Sequence, residues 1–157
     1  MEINEIKLAS FKVAGISVRT NNADENDPSK AKIMGLYNKF FGENIEEQIP
    51  DKLNKDYFMG VYTDYESDAN GEYSLLIAKE VSGFENIPDE FQTKEINESK
   101  YLKFTNEGEM PGVVFETWKY IWEYFSKNDK YERAYTTDFE KYNKTVYNKT
   151  EIFISIK

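Results

Sequence analysis

The sequence of 157 residues contains no cysteine and no histidine. The absence of cysteine excludes disulfides, thiolate zinc sites and cysteine nucleophiles. The absence of histidine excludes Ser-His-Asp chemistry and imidazole metal sites. If the protein performs acid–base chemistry near neutral pH, a carboxylate of raised pKa is therefore the candidate base.

Membrane and targeting signals are also missing. No stretch approaches the roughly 18 apolar residues of a membrane span, and the opening MEINEIKLASF lacks the basic region and apolar run of a secretory leader. No glycine-rich phosphate loop occurs, and Asp64, Glu66 and Asp68 lack the glycine spacing and distal glutamate of a calcium loop. We expect a cytoplasmic protein that uses no cofactor or metal and contacts no membrane.

Basic side chains are in the minority, with 20 lysines and arginines against 29 acids, a net charge of −9 and a pI of about 4.7. Such a field repels phosphate backbones, so no direct nucleic-acid partner is expected. It suits a cationic or neutral small molecule, or a basic protein partner. The same acidic balance also serves solubility alone in many cytosolic proteins.

Aromatic residues are abundant, because 12 tyrosines, 11 phenylalanines and 2 tryptophans make up 16% of the chain. One interpretation is an aromatic-lined cavity, since flat rings supply contact area at a low entropy cost and attract cations. The other is a ring-rich core. The composition does not separate the two.

Apolar periodicity and turn residues predict six strands and two helices within a single domain, 1–157. In chain order these are a strand (6–20), a helix that begins at Asp27 and Pro28 and ends at Gly42, strands at 56–65, 73–81 and 100–108, a helix that begins at Pro111, and strands at 133–142 and 150–157. A polar connection between about 83 and 99 separates the two halves.

The order strand, helix, strand, strand occurs twice, in repeats of about 1–82 and 95–157. The similar motifs TDYE (63–66) and TDFE (137–140) lie on the strand that follows the helix in each repeat. We therefore predict an α+β fold in which duplicated βαββ units form a shared antiparallel sheet with two helices on one face. A cleft is expected between the repeats.

Glu140 is the candidate functional residue. Strand alternation places it on the same face as Asp138 and Tyr142. If the helices cover that face, the carboxylate is partly desolvated among rings, and either its pKa rises or a cation neutralises it. The alternative is that Glu140 points into solvent beside Lys141 and Lys144.

The run FEKYNKTVYNKTEIFISIK (139–157) resembles the C-terminal end of GyrI-like domains, also called AraC-type effector-binding domains. In these domains a strand with an aromatic-glutamate-x-tyrosine pattern precedes a short loop and a closing strand. Residues 14–41 and 60–81 resemble the stand-alone members of the family. The similarity covers nearly the whole chain, and the duplicated βαββ order is the architecture that it implies.

The resemblance implies a module that binds bulky, often cationic and aromatic compounds in a cleft with a glutamate at its bottom. By position, that glutamate is Glu140. Trp118 and Trp122, four apart on the apolar face of the second helix, would wall the cleft, although that spacing also fits a plain core role. The expected ligand-binding residues are Glu140, Tyr142, Trp118, Trp122, Tyr62 and Tyr65.

Two alternative functions stay open at this point. Many relatives attach the module to a DNA-binding segment, as transcription regulators, whereas this sequence begins at the first strand. Some stand-alone relatives hydrolyse a reactive compound, with Glu140 here as the general base, and gyrase-inhibitory relatives act on a partner protein. Small-molecule binding without chemistry is the leading prediction.

Overall fold

Eight strands of the computed structural model, which describes all 157 residues, form one antiparallel sheet. The strands are β1 (Glu2–Leu8), β2 (Phe11–Thr20), β3 (Tyr57–Thr63), β4 (Tyr73–Val81), β5 (Gln92–Ile96), β6 (Ser99–Glu107), β7 (Thr137–Asn143) and β8 (Lys149–Ile156). The helices are α1 (Asn22–Glu25), α2 (Ile33–Gly42), α3 (Ile45–Gln48) and α4 (Gly112–Lys127). None of them is long and apolar enough to cross a lipid bilayer.

The sheet order is β1-β6-β8-β7-β3-β4-β2-β5. Helix α2 contacts β2 and β4, and helix α4 contacts β6 and β8. The two central strands, β7 and β3, therefore lie between the helices. We call the region above these strands, between α2 and α4, the central groove. The predicted α+β class, with an antiparallel sheet and two principal helices, is confirmed.

The core occupies both faces of the sheet. On the helix face, Leu36 and Phe40 of α2 and Ile121 of α4 are buried against the strands. On the opposite face the sheet curls over itself. The ring of Phe11 on β2 lies 5.5 Å from that of Phe139 on β7, although two strands separate them. This curl buries apolar side chains on a face that no helix covers.

Two additional strands were not predicted. The strand expected at 6–20 is interrupted at Ala9 and Ser10, and its first part, β1, pairs with β6 at the far edge of the sheet. The connection expected at 83–99 contains β5, which pairs with β2 at the other edge. β5 reads QTKEI, and its mostly exposed polar residues suit an edge strand, which explains why apolar periodicity missed it.

Several element ends also differ from prediction. The Asp27 carboxylate accepts hydrogen bonds from the amide and hydroxyl of Ser29 in a local turn, and α2 begins only at Ile33. Asp64 has a φ of 52°, which ends β3 at Thr63, and Tyr135 has the same φ just before β7. TDYE therefore follows the body of β3 while TDFE opens β7, so the two motifs are not at equivalent places. The repeat boundaries stay a prediction.

Candidate functional site

The floor of the central groove is set by the register of β3 and β7. Gly60 lies opposite Glu140, and Tyr62 lies opposite Asp138. Because side chains alternate along a strand, Tyr62, Asp138 and Glu140 all project from the helix face. The sequence left open whether Glu140 faces the helices or solvent; in the structure it faces the helices, and the residue is 1% exposed.

Three donors surround the Glu140 carboxylate. Oε2 accepts a hydrogen bond of 2.7 Å from Nε1 of Trp118 on α4 and one of 3.3 Å from the hydroxyl of Tyr62. Oε1 accepts one of 2.8 Å from the hydroxyl of Tyr142. The Tyr37 hydroxyl on α2 lies 3.4 Å from that of Tyr142, so both helices reach the carboxylate through aromatic side chains.

Glu140 has no basic partner, and this separates it from the other buried acid of the strand. Asp138 is 0% exposed, and its Oδ2 lies 2.7 Å from the Arg133 guanidinium. It also accepts bonds from the Ser155 amide and hydroxyl. Glu140 forms no ion pair, so its charge is met only by neutral donors. A buried carboxylate in this state is costly unless it binds a proton or a cation.

Burial raises the pKa of Glu140, and the hydrogen bonds from Trp118, Tyr142 and Tyr62 oppose that shift. Burial, with the nearby charge of Glu140, also raises the pKa of Tyr62 and Tyr142 well above the ordinary tyrosine value. These hydroxyls stay protonated near neutral pH. They serve the carboxylate as donors and do not act as bases.

Gly60 makes room for the glutamate. A β-carbon at this position would lie 2.7 Å from Glu140 Oε1 and 3.2 Å from the Tyr37 hydroxyl. Both contacts are tighter than ordinary van der Waals spacing. The glycine on β3 is therefore a condition for placing the Glu140 carboxylate on β7.

Aromatic rings fill the space around the carboxylate. Phe58 stacks on Tyr142 with centroids 5.0 Å apart, and the edge of Tyr62 meets Trp118 at 5.3 Å. At the solvent side, Phe41 on α2 is 55% exposed and Trp122 on α4 is 45% exposed. The Glu140 carboxylate is thus surrounded by aromatic side chains, and two large apolar side chains are exposed on the solvent side of them.

Four of the six expected site residues meet at one point: Glu140, Tyr142, Trp118 and Tyr62. Trp122 makes no contact with the carboxylate and packs on Trp118, with ring centroids 6.1 Å apart. Tyr65 lies elsewhere, because the turn at Asp64 directs its hydroxyl to Asp138 Oδ2 at 2.5 Å.

Sequence reasoning missed three contributors: Gly60, Phe58 and Tyr37. The apolar stripe of α2 contained Tyr37, but nothing in that stripe distinguished it from core residues. Gly60 and Phe58 were visible as strand residues only. Their relation to Glu140 and Tyr142 depends on the β3–β7 register, for which the sequence carries no local signal.

Comparisons with known proteins agree with this architecture. The family model Cass2, described as an integron-associated effector binding protein, matches residues 4–156. No curated protein sequence matches the chain. Among solved structures, the integron cassette protein VCH_CASS2 from the mobile metagenome of Vibrio cholerae is 34% identical, with a TM-score of 0.84. That alignment covers 99% of this chain and 95% of that one.

Two more distant structures share the fold. SAV2435, solved bound to tetraphenylphosphonium, has a TM-score of 0.80 at 21% identity, covering 100% of this chain and 94% of its own. The C-terminal domain of EcmrR has a TM-score of 0.61 at 14% identity, covering 99% and 97%. The resemblance to GyrI-like effector-binding domains is confirmed. With a family model spanning residues 4–156, the chain belongs to the Cass2 family of integron-associated effector binding proteins.

Proposed function

We propose that the protein binds hydrophobic aromatic cations in the central groove, with Glu140 supplying the opposite charge. Membership in an effector-binding family supports small-molecule binding. The observation that carries the choice of a cation is the buried Glu140 carboxylate without a basic partner. Tetraphenylphosphonium, the compound bound by the structurally similar SAV2435, has the expected chemistry.

Charge and rings contribute separately to binding. At about 4 Å, a cation and a carboxylate attract by about 4 kcal/mol at the effective dielectric of a protein surface. Each well-placed ring adds about 0.5 to 2 kcal/mol through cation–π attraction. Because Tyr62 and Tyr142 donate to the carboxylate from the central strands, a cation without N–H groups is neutralised there while both of these donors stay in place.

Access to the carboxylate requires a ring to move, because Glu140 is almost fully covered. Trp118 is the best candidate for this movement. It is partly buried, and its side chain makes a single hydrogen bond, to Glu140. Its neighbour Trp122 is exposed at the rim. These are the only two tryptophans in the chain, so selectively excited tryptophan fluorescence reports on the groove alone.

The test compares three probes of related shape: tetraphenylphosphonium, the anionic tetraphenylborate and neutral triphenylphosphine oxide. We expect the cation to raise the melting temperature and to change tryptophan fluorescence most strongly. Glu140→Gln should weaken the binding of the cation at least tenfold, about 1.4 kcal/mol, and the binding of the neutral compound much less.

Glu90→Gln is the matched control. Glu90 is an exposed acid outside the groove, so its replacement makes the same change in net charge and should leave cation affinity unchanged. An equal loss of affinity for the cationic and the neutral probe in Glu140→Gln would contradict the proposed role of charge. Equal binding of tetraphenylborate and tetraphenylphosphonium by the unmodified protein would contradict the preference for cations.

A further inference from the structure

A separate polar cavity of about 320 Å³ lies at the end of the sheet where β3 stops and β7 starts. Thr63 and Thr137 contribute to its lining, and the β5–β6 connection closes one side. Strand alternation puts these two threonines on the face opposite Tyr62 and Glu140. This space, which we call the polar cavity, does not include Glu140 or any of its three donors.

The inner part of the polar cavity offers unused hydroxyl groups. Tyr101 lines it, is 1% exposed, and its hydroxyl makes no hydrogen bond with any protein group. Its ring is packed edge-on against Phe139 and Phe153, with centroids 5.3 and 6.3 Å away. Because this hydroxyl has no protein partner and the residue lines the cavity, its donor and acceptor are available to water or to a ligand.

The two threonines beside it add to this capacity. Their Oγ1 atoms lie 3.0 Å apart, and that single hydrogen bond uses one of the two hydroxyl hydrogens. One O–H and several lone pairs remain available. Burial raises the pKa of Tyr101 to about 12, so its hydroxyl stays neutral at physiological pH. The inner surface therefore matches neutral polar groups such as the hydroxyls of a polyol.

The rim has a different character. Asp64, Glu95 and Glu98 line it, together with a single base, Lys94. Nζ of Lys94 already lies 2.7 Å from Asp64 Oδ1, so the lysine charge is matched within the protein. Glu98 is likewise paired with Nζ of Lys7, at 3.0 Å, so Glu95 is the acid of the rim without a basic partner. Its charge repels anions and favours a positive group at the outer end of a ligand.

We propose that the polar cavity is a second binding site, for a small hydroxyl-rich molecule that carries one amino group. Hydroxyls of the ligand bond to Tyr101 and to the Thr63–Thr137 pair, and the ammonium group lies at the acidic rim. The volume is at the lower end for ligand pockets, which suits a molecule the size of a monosaccharide. Tyr65, expected from the sequence to bind ligand in the groove, lines this cavity.

D-Glucosamine is the probe, and chemical-shift perturbation of the full chain in mildly acidic buffer is the measurement. We expect saturable binding, with shifts at Tyr101 and Thr137 and none at Trp118. Gluconate, a polyol anion of similar size, should bind more weakly. Tyr101→Phe should weaken glucosamine about 3- to 10-fold, the range for losing one neutral hydrogen bond.

Tyr101→Phe keeps the ring packing and removes a hydroxyl that has no protein partner, so the variant should melt at or above the temperature of the unmodified protein. Thr63→Val is the second variant and should also weaken binding. Tyr147→Phe is the matched control, because Tyr147 is exposed and outside the cavity. Tetraphenylphosphonium affinity should be unchanged in Tyr101→Phe, and glucosamine affinity unchanged in Glu140→Gln.

Three results would overturn this proposal. These are no saturable glucosamine binding, binding that is unaffected by both Tyr101→Phe and Thr63→Val, and gluconate binding as tight as that of glucosamine. None of them bears on the central groove, since the two sites lie on opposite faces of the sheet and are tested with different probes.

Discussion

Amide replacement of the two buried acids on β7 should change stability in opposite directions. Glu140→Gln removes a buried charge that has no basic partner, so the free protein should become more stable near neutral pH. Asp138→Asn removes the partner of Arg133, whose side chain is also buried, and leaves that guanidinium unpaired. The two acids are two residues apart on one strand, so the comparison sets a buried acid with a basic partner against one without.

The magnitudes follow from linkage between protonation and folding. The folded-state pKa of Glu140 is raised, so its contribution to stability is full below the unfolded pKa, about 4.3, and is lost as pH rises through the folded pKa. Across that window the unmodified protein loses up to about 1.4 kcal/mol per pH unit relative to Glu140→Gln. For a chain of this size, each kcal/mol shifts the melting temperature by about 2–4 °C.

Asp138→Asn is expected to cost about 3–5 kcal/mol, the usual penalty for breaking a buried ion pair from one side. That loss corresponds to a decrease in melting temperature of about 6–20 °C. The assay is thermal and urea unfolding of both variants from about pH 4 to pH 8, without ligand.

A Glu140→Gln variant that is less stable than the unmodified protein at pH 7 would contradict this expectation. A stability difference that does not change with pH would contradict it equally, because the effect must disappear once Glu140 is protonated in both states. Glu90→Gln again controls for the change in net charge, and its stability should be within about 0.5 kcal/mol of the starting protein.

Three further substitutions give distinct outcomes. Gly60→Ala places a β-carbon 2.7 Å from Glu140 Oε1 and should weaken the binding of tetraphenylphosphonium, as measured by calorimetry. Unchanged affinity would contradict the close packing of Gly60 against Glu140. Trp118→Phe removes a donor to Glu140, so the pKa should rise further and the pH midpoint of cation binding should move upward rather than stay constant. Tyr65→Phe should lower the free energy of unfolding in urea by about 1.5–3 kcal/mol and leave the affinity for the cation unchanged. A loss of cation affinity in this variant would mean that Tyr65 contributes to the groove.

Much of the fold was predictable because its signals are local. The apolar stripes of α2 and α4 repeat every three to four residues, and the strands that contribute to the core are rich in apolar and β-branched side chains. The edge strand β5 and the separate pairing of β1 escaped prediction for the opposite reason. Both edge strands are largely polar and mostly exposed, and their pairing partners lie 77 to 103 residues away in the chain.

The composition alone excluded thiol and imidazole chemistry, and the period-2 alternation of β7 placed Asp138, Glu140 and Tyr142 on one side of the sheet. Local sequence could go no further, because two acids on the same face of one strand are equivalent by pattern. The environments of the two acids differ because of contacts with residues that are distant in the chain. Arg133 turns back to neutralise Asp138, whereas the register with β3 sets Gly60 opposite Glu140 and leaves that carboxylate with aromatic donors and no base. Register and chain reversal depend on the free energy of the whole sheet, and no window of neighbouring residues encodes them.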